Sequence, residues 1–189
     1  MSVIDTSALF SDRDLDGSYD ESAAVHIQLE GETAVCDSDA VSIDGSRITL
    51  LDEGTYLVSG ALTDGQIVVD AGDTDKVQIV LASASLTCAD SAAIYSKSAD
   101  KVFLTLAEGT ENTLTNGGSY TAIDKNNIDS VVFSKTDLTL NGSGSLTIDA
   151  QAGHGVVSKD ELTINGGTFT VDSVDDCLHS GGALAVTGG

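Results

Sequence analysis

The chain has 189 residues, with 30 Asp and Glu against 8 Lys and Arg, for a formal net charge of −22. That balance excludes nucleic acid and anionic membrane surfaces as partners, because phosphate contacts need Lys and Arg; it favours hard cations that carboxylates hold. Hydrophobic residues at 41% support a sizeable core, and 20 Gly with no Pro and no Trp point to many short strands joined by tight polar turns rather than to helices.

Residues 1–32 contain no repeat and read as a cap over the end of whatever follows. Residues 1–10 lack the basic and apolar stretches of a signal peptide. No apolar run in the chain reaches the roughly 20 residues of a membrane span. A cytosolic protein and a mature segment behind a start Met both fit. Within the cap, Asp12, Asp14 and Asp16, followed by Gly17, match the start of a calcium loop. Ala23 stands where that loop places a bidentate Glu, and no helical pattern flanks it, so a polar turn is the competing reading. Val25 to Leu29 alternates as a strand.

Residues 33–189 repeat. Val132-Phe133-Ser134-Lys135 resembles Val156-Val157-Ser158-Lys159 and Ile94-Tyr95-Ser96-Lys97, with a degenerate copy at Leu178-His179-Ser180-Gly181. Ser134 to Ser158 is 24 residues and Ser158 to Ser180 is 22; Ser96 to Ser134 is 38, one unit plus an insertion between Asn116 and Asn127. Asn141-Gly142 and Asn165-Gly166 form a second column, 24 apart. Inside each unit apolar residues alternate with period two, as in Leu138-Thr139-Leu140 and Leu162-Thr163-Ile164, so one face of each strand is buried. Three strands per unit of 22–25 residues, with Gly, Asn and Asp at the corners, predicts an all-β parallel β-helix whose coils stack and share one core. A β-sandwich would not hold the period, and a leucine-rich repeat would show its own consensus. The last coil stops in a turn with an unpaired edge, which predicts either further coils beyond it or end-to-end self-association. Cys36, Cys88 and Cys177 are far apart and form no metal motif; they read as small buried hydrophobes, with Cys36–Cys88 pairing left open.

Several segments together are similar to a known family: Gly54-Thr55-Tyr56-Leu57-Val58-Ser59-Gly60, Asp64-Gly65-Gln66-Ile67-Val68-Val69, Asp75-Lys76-Val77-Gln78, Ala107-Glu108-Gly109-Thr110-Glu111-Asn112-Thr113-Leu114, Ser134-Lys135 and Ser158-Lys159. They resemble secreted bacterial carbohydrate-binding β-helix proteins. The resemblance implies a right-handed parallel β-helix, bound Ca²⁺, binding of acidic, pectin-like polysaccharide such as polygalacturonate, and a secreted or cell-surface location. The fold of that family is similar to pectate lyases, without their catalysis. Ser180-Gly181 departs from the Ser-Lys pattern, which weakens any ligand site at that end.

Three candidate sites follow. Equivalent positions of stacked coils lie about 4.8 Å apart, so Asp149 and Asp172, 23 residues apart, should converge and attract a cation. Asp175 and Asp176 belong to the same turn region, and Asp129 is an outer member. The alternative is a solvated acidic column. The second candidate is the Asp12–Asp14–Asp16 turn. The third is the column Lys97, Lys135 and Lys159, on the same outward side as Tyr95 and Phe133; lysines there would hold uronate carboxylates while a ring covers a sugar face. Their alternative role is solubility. For catalysis, Lys135 and Lys159 are conceivable bases, but nothing singles one out, and His26, His154 and His179 are scattered. Calcium-dependent binding without turnover is the leading expectation. A self-assembling structural protein and a pectate-type lyase are the alternatives.

Overall fold

The computed structural model describes residues 9–121 and 124–189. The fold is all-β, with sixteen strands, one helical turn α1 (Asp12–Leu15) and a 3₁₀ turn (Glu21–Ala23) among the described residues. The strands form two sheets. The first runs, edge to edge, β16 (Leu184–Val186), β14 (Leu162–Ser173), β12 (Asp137–Ala150), β10 (Glu111–Asn116), β7 (Lys76–Cys88), β5 (Gly54–Leu62), β1 (Val25–Gly31) and β2 (Ala34–Val35), with β9 (Lys101–Leu106) also between β7 and β12. The second runs β15 (Leu178–Ser180), β13 (His154–Ser158), β11 (Ser130–Ser134), β8 (Ile94–Ser98), β6 (Gln66–Asp70), β4 (Arg47–Leu50) and β3 (Val41–Asp44). All pairs are parallel except β1–β2 and β3–β4.

The repeat period becomes register. Leu138 pairs with Leu162 and Asn141 with Asn165. On the second sheet Ile48, Ile67, Ile94, Val132, Val156 and Leu178 stack as one inward column. One continuous core results, holding Tyr56, Leu81, Leu104, Leu140 and Ile164 among others. The serines that mark the repeat sit in the next inward column, Ser96, Ser134, Ser158 and Ser180. Ser134 Oγ donates to the Thr136 carbonyl at 2.7 Å, Ser158 to Glu161 at 2.9 Å and Ser180 to Ala183 at 2.9 Å. A buried carbonyl left unpaired is costly, so serine recurs because it closes the corner, not because it meets a ligand.

The pattern predicts three separate strands per coil, but the structure fuses two of them. β7 pairs β9 through its first half and β10 through its second, and β12 does the same on the other side. The long strands bend at positive-φ residues: Ser83 in β7, Gly142 in β12 and Gly166 in β14. Glycine reaches φ +99° at 142 at no steric cost, so the corner turns without interrupting the ladder. A Cβ at Gly142 would also lie 2.3 Å from the Leu106 carbonyl oxygen.

Residues 1–8 of the expected cap lie outside the described residues. The remainder does not lie simply over the end. β1 is already the first parallel strand of the first sheet, paired to β5, while residues 11–18 run along the flank as a strap over β12 and β14. α1 begins with a capping box: the Asp14 backbone N–H donates to Ser11 Oγ, and Ser11 N–H and Oγ donate back to the Asp14 carboxylate at 2.8 and 2.7 Å.

Candidate functional site

Four of the eight basic side chains line one depression on the outer side of the second sheet. One part, of about 410 Å³, is lined by Asp73, Lys97, Ser98, Asp124, Lys125, Asn126, Lys135 and Thr136. The adjoining part, of about 190 Å³, is lined by Arg47, Thr49, Val68, Asp70, Tyr95, Lys97 and Asp124. The two share Lys97 and Asp124, and together they make a groove crossing the strands from the Arg47 coil to the Lys135 coil.

Stacking and an insertion build it. Lys135 N–H donates to the Ser96 carbonyl and Lys159 N–H to the Ser134 carbonyl, so the lysines that follow the serines climb one coil at a time at the end of the sheet. Lys97 Nζ pairs with Asp70 at 2.5 Å, both side chains more than a third exposed. The insertion folds back over the sheet and supplies Asp124, Lys125 and Asn126. Asp124 accepts the Tyr95 hydroxyl at 2.6 Å, and Asn126 Nδ2 donates to the same oxygen at 2.8 Å. Burial, then the bond to Asp124, pushes the Tyr95 phenol well above its ordinary pKa, so it stays a donor. Burial works against the Asp124 carboxylate, but the Tyr95 hydroxyl and the Asn126 N–H outweigh it and hold its pKa low; Lys135 adds to this. The groove therefore mixes four cations with three tethered carboxylates, Asp70, Asp73 and Asp124, and several neutral hydrogen-bonding groups.

Lys97 and Lys135 are brought together, as the column predicts. Lys159 is displaced: its Nζ lies over the Phe133 ring, 5.1 Å from the centroid. Tyr95 and Phe133 require a correction. Both point away from the main core as parity demands, yet they are only 0% and 1% exposed. Tyr120 from the insertion and Ile128 just after it close over them in a second core with Val68, Ala92 and Val157, and the two rings meet edge-on at 5.9 Å. Phe133 is thus unavailable to a sugar, and Tyr95 offers the groove only its hydroxyl end. Arg47 and Lys125 escaped the sequence reading because neither belongs to a repeated column; the signal for Lys125 was the insertion itself.

Asp149 and Asp172 are register partners on β12 and β14. The carboxylates of Asp149, Asp176 and Asp129 each have a partner of their own. Asp149 Oδ2 accepts from Gln151 at 3.0 Å, and the Asp175 N–H donates to Gly153. The Asp176 carboxylate lies 3.5 Å from His154 Nδ1 and 3.3 Å from His179 Nδ1. Asp129 Oδ2 accepts from Asn127 at 3.2 Å, and its Oδ1 is buried with no hydrogen-bond partner among the described residues. Among the described residues no three His, Cys, Asp or Glu side chains gather to hold a metal. The Asp149–Asp172 pair alone supplies only part of the 6–8 oxygens Ca²⁺ takes. Asp149 and Asp172 also precede β13 and β15, whereas the lysines stand at the far ends of the stacked strands β8, β11 and β13, so a five-residue strand, about 16 Å long, separates the two.

The Asp12–Asp14–Asp16 turn is likewise corrected. Asp14 is buried, its Oδ1 paired with Lys101 Nζ at 2.7 Å and accepting the Thr139 hydroxyl. Asp16 accepts its own turn's Ser18 N–H at 2.9 Å. The carboxylate a calcium loop would need is consumed by an ion pair.

The comparisons with known proteins agree with this architecture. A curated carbohydrate-binding domain-containing protein from Acetivibrio thermocellus is 36% identical over 135 residues, covering 70% of this chain and 47% of the relative; the chain spans about half the length of the curated relative it matches. The gadolinium derivative of a polysaccharide lyase-like protein from C. thermocellum superposes with a TM-score of 0.77 at 25% identity, covering 87% of this chain and 82% of that one. The family model for carbohydrate-binding domain-containing proteins matches residues 44–189, and the chain belongs to that family.

Proposed function

We propose that the chain binds an acidic, pectin-like polysaccharide along the groove that runs from Arg47 to Lys135, without cleaving it, in an extracellular setting. The observation that carries this reading is the placement of charge: a chain at −22 gathers Arg47, Lys97, Lys125 and Lys135 in one open groove. Bidentate or paired cations hold carboxylates well, and Asn126, Thr136 and Ser98 are suited to sugar hydroxyls. The stacked parallel coils fit a right-handed parallel β-helix, whose regular rise presents such groups at even spacing along a polymer. Calcium enters at Asp149 and Asp172, one strand's length from the groove, with water completing its shell, and offsets part of the repulsion between a negative protein and a negative polymer.

Native gels containing polygalacturonate test this. The wild-type chain is expected to be retarded and the Lys125→Glu/Lys135→Glu double variant to lose at least about 10-fold in affinity, the ratio of two broken charge-assisted contacts. Retardation of the variant equal to wild type would remove the groove. Addition of a chelator separates the calcium claim: unchanged retardation would leave the groove and dismiss the cation.

A further inference from the structure

Another depression lies apart from the basic groove. It lies on the outer side of the first sheet, has a volume of about 490 Å³, and is lined by Leu15, Tyr19, Glu108, Ser143, Asn165 and the glycines of the Asn-Gly column. A second depression of about 480 Å³ lies on the other side of the strap and shares Ser18 and Tyr19 with it, adding Thr55, Gln78 and Asp16. Both fall within the size range of ligand sites. The Asn-Gly column, which the basic groove does not use, makes this cleft. Gly142 and Gly166 are register partners and carry no side chain, so the sheet surface beside the strap stays low and flat. The strap forms the wall above it. Gln78 Nε2 donates to the Ser18 carbonyl at 3.3 Å and Asn165 Nδ2 to the Asp14 carbonyl at 3.3 Å, which fixes the height of that wall.

We propose that this cleft is a second saccharide site, one that takes uncharged pyranose residues, with Tyr19 as its platform. Tyr19 is half-buried and its ring is backed by Leu57, Val80 and Ala107. It is therefore held rigid while remaining open to the cleft, as a ring must be to cover the apolar face of a sugar. By contrast Tyr95, Phe133 and Phe103 are sealed. Ser18, Ser143, Asn165 and Gln78 offer neutral donors and acceptors. The charges on the cleft are carboxylates, apart from Arg13 at the far end, where its guanidinium lies over Phe103 at 4.7 Å. Carboxylates accept bonds from sugar hydroxyls and repel uronates. The two sites thus divide ligands by charge: anionic sugars go to the groove and neutral sugars to the cleft. The inference stands independently of the basic-groove reading.

Affinity gels with soluble galactan, glucomannan, arabinoxylan and mixed-linkage β-glucan test it, run beside polygalacturonate. At least one neutral polymer is expected to retard the wild-type chain. Tyr19→Ala should weaken that retardation about 10-fold or more, Tyr19→Phe should keep it, and Lys125→Glu/Lys135→Glu should leave it unchanged. Melting curves of the Tyr19 variants exclude unfolding as the cause. Absence of retardation by all four polymers, or equal retardation of Tyr19→Ala and wild type, would overturn the proposal, whatever happens with polygalacturonate.

Discussion

Replacing Asp14 with Ala is expected to lower the unfolding free energy by about 3 kcal/mol, the cost of removing one member of a buried ion pair, and the melting temperature by roughly 9 °C for a chain of this size. The Asp14 side chain is 2% exposed and that of Lys101 14%. Loss of the carboxylate leaves an ammonium among Phe103 and Thr139 with nothing to neutralise it, and removes the capping box and the fastening of residues 11–18 together. The strap should then become cleavable by protease while the coils stay resistant. The same pair sets an acid limit. Burial raises the Asp14 pKa, but Lys101, Thr139 and Ser11 outweigh it and bring it from 3.8 down to about 2. A depressed carboxylate stabilises the fold above its unfolded pKa, here by about 2 kcal/mol, and that contribution disappears as pH falls from 3.8 through about 2. Thermal unfolding between pH 5 and pH 2 should therefore show a steeper loss in the wild type than in Asp14→Asn. Parallel curves for the two would mean that the pair contributes nothing.

Phe133→Ala is expected to cost about 4 kcal/mol, in the range of large-to-small core substitutions. The ring fills a closed space between Tyr95, Val157 and Ile128, and a cavity there also loosens the insertion that carries Asp124 and Lys125. Tyr95→Phe keeps the packing and removes only the hydroxyl held by Asp124 and Asn126; about 1 kcal/mol is expected, in line with a single hydrogen bond. A denaturation curve distinguishes these side chains as core from these side chains as sugar platforms. A sugar-binding Phe133 would leave stability intact and lose only affinity.

Much of the architecture is legible in the residues because stacking converts sequence period directly into register. Leu138 with Leu162, Asn141 with Asn165 and Asp149 with Asp172 are each one coil apart in the chain and adjacent in the sheet. What stays hidden is whatever breaks the period. The insertion has no copy to compare with, so nothing local says that Ile128 and Tyr120 close over Tyr95 and Phe133, or that Lys125 joins Lys97 and Lys135. The alternation that sends those rings outward is correct, and a non-local contact then buries them. Asp14 is similar: an Asp-x-Asp-x-Asp-Gly turn reads as a cation loop until Lys101, 87 residues away, is seen against it. The corner glycines were visible as Asn-Gly repeats, but their consequence, a bend without a break and a flat floor beside the strap, depends on φ values that composition does not reveal.

Lysine footprinting tests the central claim most directly. The chain is acetylated under limiting reagent with and without saturating polygalacturonate, and each lysine is followed by mass spectrometry. Lys125 and Lys135, with Lys97 beside them, should be protected, while Lys76, which pairs with Asp100 at 3.7 Å on a half-exposed surface and does not line the groove, should react at the same rate in both samples. Protection of Lys76 with the groove lysines left unprotected would contradict the account.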